Sequence, residues 1–319
     1  MTEATGHKRK RSLQESTVDL TKMTMALQRL NSLKEELDGI EETEQEMGAV
    51  MEHVEALEEI LNIAKKPVLE LLKLGVTRKR LVFSSDKLDR LADGLTPKAQ
   101  TEVPKLRARL LDIYAHVNMD VGHAGSRMLL DAVLLSLASI VSDGRSNVAI
   151  FPEMNIVPQD GVQILNPLSG YQVWLSGNVD YAVVQYQDES DNRDRLLGLG
   201  GTREDVFDIA EGRLFLVEAK RHVSEGSSLG AYMPEAVSQA LALATLTSRK
   251  EVRFCLSNGQ TWIFSLLKSE EKKWVYYESA ARQLNHILVE LSDKPLRQIV
   301  QLVLEWLTPS TTELYTLVN

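Results

Sequence analysis

From Val18 to Leu74 apolar residues recur at alternating spacings of three and four: Leu20, Met23, Leu27 and Leu30, then Leu33, Leu37 and Ile40, then Met47, Val50, Val54, Leu57 and Leu61. That period predicts a long amphipathic helix, or two in succession. The register slips between Leu30 and Leu33, and Glu41, Glu42, Glu44 and Glu46 interrupt the stripe. Such a slip disturbs a continuous coiled coil. Three partners therefore stay open for the stripe: a second copy of the chain, a helical partner, or the domain that follows. Pro67 and Gly75 punctuate its end. Arg78 to Leu111 reads as mixed helix with turns at Asp93-Gly94 and Thr96-Pro97, and the basic cluster "TRKRL" at Thr77–Leu81 reads as a solvated face.

The pattern changes near Gly122. Ser126 to Val141 is strongly apolar and predicts a core helix stopped by Gly144. Strand-forming residues then dominate "NVAIFPEMNI", "YQVWLSGNVDYAVVQY", "RLFLVEAKR" and "EVRFCLSNGQTWIFSLL", with "WVYYES" as a last strand. Asn258-Gly259 predicts a hairpin with a type I′ turn. "MPEAVSQALALATLTS" predicts a helix opened by Pro234 and Glu235, and two helices split at Asp293-Lys294-Pro295 finish the chain. The order predicts an α/β protein, a mixed sheet flanked by helices, with a helical N-terminal extension. Its divisions are a polar basic tail over 1–17, a helical region over 18–110 and an α/β domain over 111–319.

Composition narrows the setting. One cysteine, Cys255, among 319 residues leaves no disulfide framework and no cysteine-rich zinc module, which predicts an intracellular protein. No apolar run is long enough to span a bilayer, the best being broken by Asp131, so no membrane partner is expected. The polar start predicts no secretory signal, and His7-Lys8-Arg9-Lys10-Arg11 reads either as a short basic run of the nuclear-import kind or as a solvated tail, which leaves nucleus and cytoplasm as alternatives. A formal net charge of −9 argues against binding nucleic acid by bulk attraction, but not against a local site.

Candidate chemistry gathers at "RLFLVEAKR". In a strand, Phe215, Val217 and Ala219 share one face, and Leu216, Glu218 and Lys220 share the other. The run is apolar on both faces until Glu218, which predicts a central strand ending in a partly desolvated carboxylate and ammonium. Asp180 lies near the start of an upstream strand, where an aspartate is an unusual choice. Paired strands would let both carboxylates converge on one hard cation, magnesium foremost and manganese second, with the Ala219 carbonyl as a further oxygen ligand. Lys220 would then orient or deprotonate a water there. A structural Glu218–Lys220 ion pair is the plain alternative. Gly198–Thr202 lacks the third glycine of a dinucleotide fingerprint and reads as a turn, "QDESDNRDR" as a solvated loop, and Cys255 as a core thiol.

With Asp180 … Glu218-Ala219-Lys220 set in helix–strand–strand–strand–helix–strand order, the chain resembles the PD-(D/E)XK nuclease superfamily over about residues 122 to 280. The resemblance implies a restriction-endonuclease-like fold and a magnesium-dependent phosphodiesterase acting on nucleic acid, DNA foremost. It implies Asp180 and Glu218 as metal ligands and Lys220 beside the attacking water, and it matches Gln239 to a glutamine that many members carry near the site. Members often present a glutamate from the first helix; here the acid in that helix is Asp131, either a stand-in ligand or a satisfied core residue. The proline that can precede the first aspartate is replaced by Val179. "EVRFCLSNGQTWIFSL" also looks like a hairpin of nuclease-like modules in Crinkler-type proteins, although the Crinkler header motif is missing. A catalytically silent binding or interaction protein of the same fold, assembling through residues 18–74, is the second expectation.

Overall fold

A computed structural model describes residues 71–319, except 72, 120–123, 159–160, 167–168, 176–177, 188, 190, 200, 211–213, 221–228, 272, 310–312 and 319. The basic run at His7–Arg11 and nearly all of the helical stripe over 18–74 lie outside the described residues.

Among the described residues eleven strands and eight α-helices follow in order: β1 (Thr77–Phe83), α1 (Ser85–Asp93), α2 (Pro97–His116), α3 (Ala124–Val141), β2 (Ser146–Asn155), β3 (Val162–Leu165), β4 (Gln172–Leu175), β5 (Asn178–Gln187), α4 (Asn192–Leu197), α5 (Arg203–Ile209), β6 (Leu214–Ala219), α6 (Met233–Leu246), β7 (Glu251–Ser257), β8 (Thr261–Glu270), β9 (Lys273–Ser279), β10 (Arg282–Gln283), α7 (His286–Leu291), α8 (Lys294–Leu307) and β11 (Tyr315–Val318). Nine strands form one mixed sheet in the order β11-β1-β9-β8-β7-β6-β5-β2, with β10 on β8. β3 and β4 make a separate hairpin. The protein is thus α/β, a large mixed sheet flanked by helices.

β6 sits deep in the sheet because all six of its residues are buried. It pairs antiparallel with β5 and parallel with β7. Parallel neighbours need a long crossover, and α6 supplies it. Phe215 and Val217 pack in the core that holds α3 and α8, while Leu214 and Leu216 pack in the core that holds α6. Burial on both faces is what the apolar run in β6 requires. Among the described residues α3 is the one helix long and apolar enough to cross a membrane, and half of it is buried in the protein.

Several expectations change in detail. The compact unit begins at Glu70, and "TRKRL" belongs to β1 within the main sheet, parallel to β9 and antiparallel to β11. The α/β unit therefore takes in residues assigned by sequence to the helical region. Leu81 and Phe83 anchor β1 in the core, while its arginines point outward. The run "YQVWLSGNVDYAVVQY" divides into β4 and β5, which belong to different sheets. Part of "QDESDNRDR" winds into α4, and α5 follows behind a capping box between Thr202 and Asp205. The β7–β8 turn is not type I′: positive φ falls on Gly259 alone, and Asn258 Oδ1 accepts hydrogen bonds from the backbone of Gln260 and Thr261.

Candidate active site

The ladder between β5 and β6 runs as far as Tyr181↔Val217. One step further the backbone N–H of Ala219 donates to Asp180 Oδ2 at 2.8 Å. The aspartate side chain thus takes over from the ladder, satisfying an amide that would otherwise be stranded inside. This contact seats Asp180 against Glu218-Ala219-Lys220. In an extended strand the N–H and C=O of one residue point to the same side, so the Ala219 carbonyl heads for the same gap.

Glu218 is 3% exposed, on the α6 side of the sheet. Its Oε1 is 2.6 Å from Lys220 Nζ, and its Oε2 accepts from Gln239 Nε2 at 2.7 Å. Gln239 also donates to the Asn178 carbonyl at 3.1 Å, tying α6 to the start of β5. Burial pushes the Glu218 carboxyl up to about 8, against the opposing pull of Lys220. Lys220 bonds Glu235 Oε2 at 2.8 Å and stands 5.3 Å from the centre of the Tyr232 ring. Burial opposes its charge, yet Glu218 and Glu235 hold its ammonium above the ordinary lysine range.

Sequence reasoning passed over Arg127, Glu153 and Glu235. From the first turn of α3, Arg127 Nη2 reaches Asp180 Oδ1 at 2.6 Å while Nη1 pairs with Glu153. Burial works against its charge, but these two carboxylates leave it raised. The flanking pairs Pro152↔Tyr181 and Met154↔Val179 place Glu153 opposite Asp180. Glu153 has φ +52, a left-handed backbone rare for a residue with a side chain. Spacing carried a usable signal for Glu235, which lies four residues before Gln239 on one face of α6.

Asp180, Glu218, Ala219, Lys220 and Gln239 are therefore brought together. Asp131 is placed elsewhere: it is exposed on α3 and accepts a hydrogen bond from Tyr181 Oη at 2.9 Å. Tyr181 packs in the core on the α3 side, the opposite side from Glu218. Among the described residues no three His, Cys, Asp or Glu side chains cluster as a ready metal cage. Two carboxylates and a backbone carbonyl still fit magnesium, which keeps several waters and takes further oxygens from a phosphate. The charge balance fits as well, since Asp180, Glu218, Glu235 and Glu153 face Arg127 and Lys220. Cys255 is fully buried, with its thiol pushed up by burial. Compared with known proteins, the chain matches no family model and no curated protein.

Proposed function

We propose that this protein is a metal-dependent phosphodiesterase acting on nucleic acid, DNA foremost, on a restriction-endonuclease-like fold. The observation that carries the reading is the Asp180–Ala219 hydrogen bond, which sets an acid on β5 against Glu-x-Lys at the end of β6. The order α3, β2, β5, β6, α6, β7 supports it. β5 runs antiparallel to both of its neighbours, β2 and β6, and β7 returns parallel to β6.

Asp180, Glu218 and the Ala219 carbonyl would hold magnesium or manganese. When bound, the ion would supply Lewis-acid activation of a water and offset charge on the phosphate. Lys220, held cationic by Glu218 and Glu235, orients the attacking water and faces the phosphate as a positive charge; it does not serve as the base. Gln239 fixes the Glu218 carboxylate in one rotamer through its hydrogen bond.

The test is cleavage of supercoiled plasmid, linear duplex, single-stranded DNA and RNA with magnesium, manganese or chelator, alongside Asp180→Ala and Lys220→Ala. Metal-dependent cleavage that both substitutions abolish is the expected result. Full activity in Lys220→Ala would refute the role of the lysine at the water and the phosphate.

One observation favours a second reading, a binding module that does not cleave: Arg127 already neutralises Asp180. On that reading, folded wild type binds DNA and metal but cleaves none of the four substrates, and residues 18–74 mediate assembly. Equal monomeric masses by light scattering for the full chain and for residues 70–319 would count against the assembly role.

A further inference from the structure

A second polar site opens where the sheet splits. β9 pairs with β1 up to Leu81↔Ser279, whereas Arg282 and Gln283 of β10 pair with Trp262 and Thr261 of β8. β1 meanwhile continues along β11 as far as Phe83. The two courses part around Ala280 and Ala281, leaving a cavity of about 860 Å³ bounded also by α7 and α8. Phe83, Leu288, Pro295 and Ile299 give it apolar walls, and Arg78, Arg80 and Arg282 give it positive charge.

The acids nearby are already engaged. Glu278 pairs with Arg78, and Asp89 is held by Lys294 at 2.8 Å and by Gln298 at 2.5 Å. Arg80 is exposed on the opposite face of β1 from Phe83, beside Glu278 in the register, and makes no ion pair among the described residues. Arg282 lies 5.3 Å over the Phe83 ring, and its Nε is buried without a hydrogen-bond partner. A buried donor left unpaired is costly, and a ligand oxygen would satisfy it. Arginine's planar fork suits phosphate in particular.

Position indicates which phosphate. β6 ends at Ala219, β7 ends at Ser257, β8 starts at Thr261 and β9 ends at Ser279, all on one rim of the sheet. β10 stands three strand steps from β6, roughly 14 Å at the usual strand spacing. That distance covers about four nucleotides of a duplex strand.

We propose that this cleft, through Arg282 on the Phe83 face of the sheet and Arg80 on the opposite face, binds backbone phosphates of a DNA strand whose course passes the Glu218 site. Assigning the phosphate to a DNA strand rests on the phosphodiesterase reading; the anion site itself rests on the cleft alone. The experiment is fluorescence anisotropy of a labelled 20-base-pair duplex with the full chain in chelator, repeated across a salt series. The double variant Arg80→Gln/Arg282→Gln should bind about tenfold more weakly, with the slope of log K against log salt shallower by about 1.8. Arg80→Gln alone, at an exposed position, should lower the slope by about 0.9 and keep the wild-type melting temperature. Unchanged affinity and slope in both variants, or no duplex binding by wild type, would overturn the proposal. Adenosine monophosphate binding tighter than the duplex, and lost in the same variants, would overturn the assignment to a strand. Absence of cleavage in the separate nuclease assay would defeat the phosphodiesterase reading and leave this binding result standing.

Discussion

Arg127 Nη2 lies 2.6 Å from Asp180 Oδ1, so the acid assigned to a metal already holds a cation from α3. At the proposed metal site the guanidinium and the ion would compete for the same carboxylate. Replacing Arg127 by Met should weaken the metal-free fold by about 1–3 kcal/mol, because Asp180 loses a charged hydrogen bond. The same change should tighten magnesium binding. Urea unfolding with chelator and with a magnesium titration checks both; an unchanged magnesium midpoint would mean that Arg127 and the ion do not compete.

Glu218 should make the metal-free protein less stable as pH rises. Its carboxyl, ordinarily near 4.5, is raised to about 8 by burial, with Lys220 opposing. The folded state therefore favours the protonated acid, and between those values it binds more protons than the unfolded chain. The contribution is fully present below pH 4.5 and is lost as pH climbs through 8. Melting temperatures from pH 4.5 to 8.5 in chelator should fall more steeply for wild type than for Glu218→Gln. Parallel profiles would contradict this origin.

Gln239 should matter through its amide rather than its size. Gln239→Glu puts a second carboxylate beside Glu218 Oε2, where an N–H now donates at 2.7 Å. A loss of roughly 2–4 kcal/mol in stability is expected above pH 8, where Glu218 is ionised, against roughly 1–2 for Gln239→Ala, which removes the donor without adding charge. Chemical denaturation of the two variants side by side distinguishes these outcomes, and equal losses would show that the amide is replaceable.

Gly259 should not tolerate a side chain. Its φ is +80, and an added Cβ would lie 2.6 Å from Leu129 Cβ on α3. Left-handed strain and overpacking together should cost about 2–4 kcal/mol in Gly259→Ala. Leu129→Gly in the same chain should recover part of that loss, because it removes the Cβ that the added methyl meets. A double-mutant cycle in urea tests it, and strict additivity would place the strain in the backbone alone.

The sequence announced the parts of this fold that depend on uninterrupted burial. β6 and α3 are apolar on nearly every side, so their residues alone place them at the centre. β1 was hidden because Arg78, Lys79 and Arg80 read as a solvated cluster, while the anchors Leu81 and Phe83 come late in the strand. The β4–β5 break was hidden because strand-forming residues run almost straight through it. At the site, Asp180, Glu218 and Lys220 stood out as charges next to apolar strands. Arg127 did not, because its role depends on which strand α3 packs against, and that choice is made by tertiary contacts. Asp131 was offered as a ligand on helix position alone; its bond to Tyr181 depends on the face it presents, which the sequence order leaves open.

β1 and β11 lie side by side in the finished sheet, with Arg80 opposite Val318. During synthesis that neighbour does not yet exist. At ordinary translation rates β11 emerges roughly 10 to 50 s after β1, and β9, on the other flank, also comes late. For that interval β1 has two open edges and an apolar pair, Leu81 and Phe83, without cover. Its run of basic side chains then has a second use, keeping nascent chains from pairing edge to edge before their own last strand arrives.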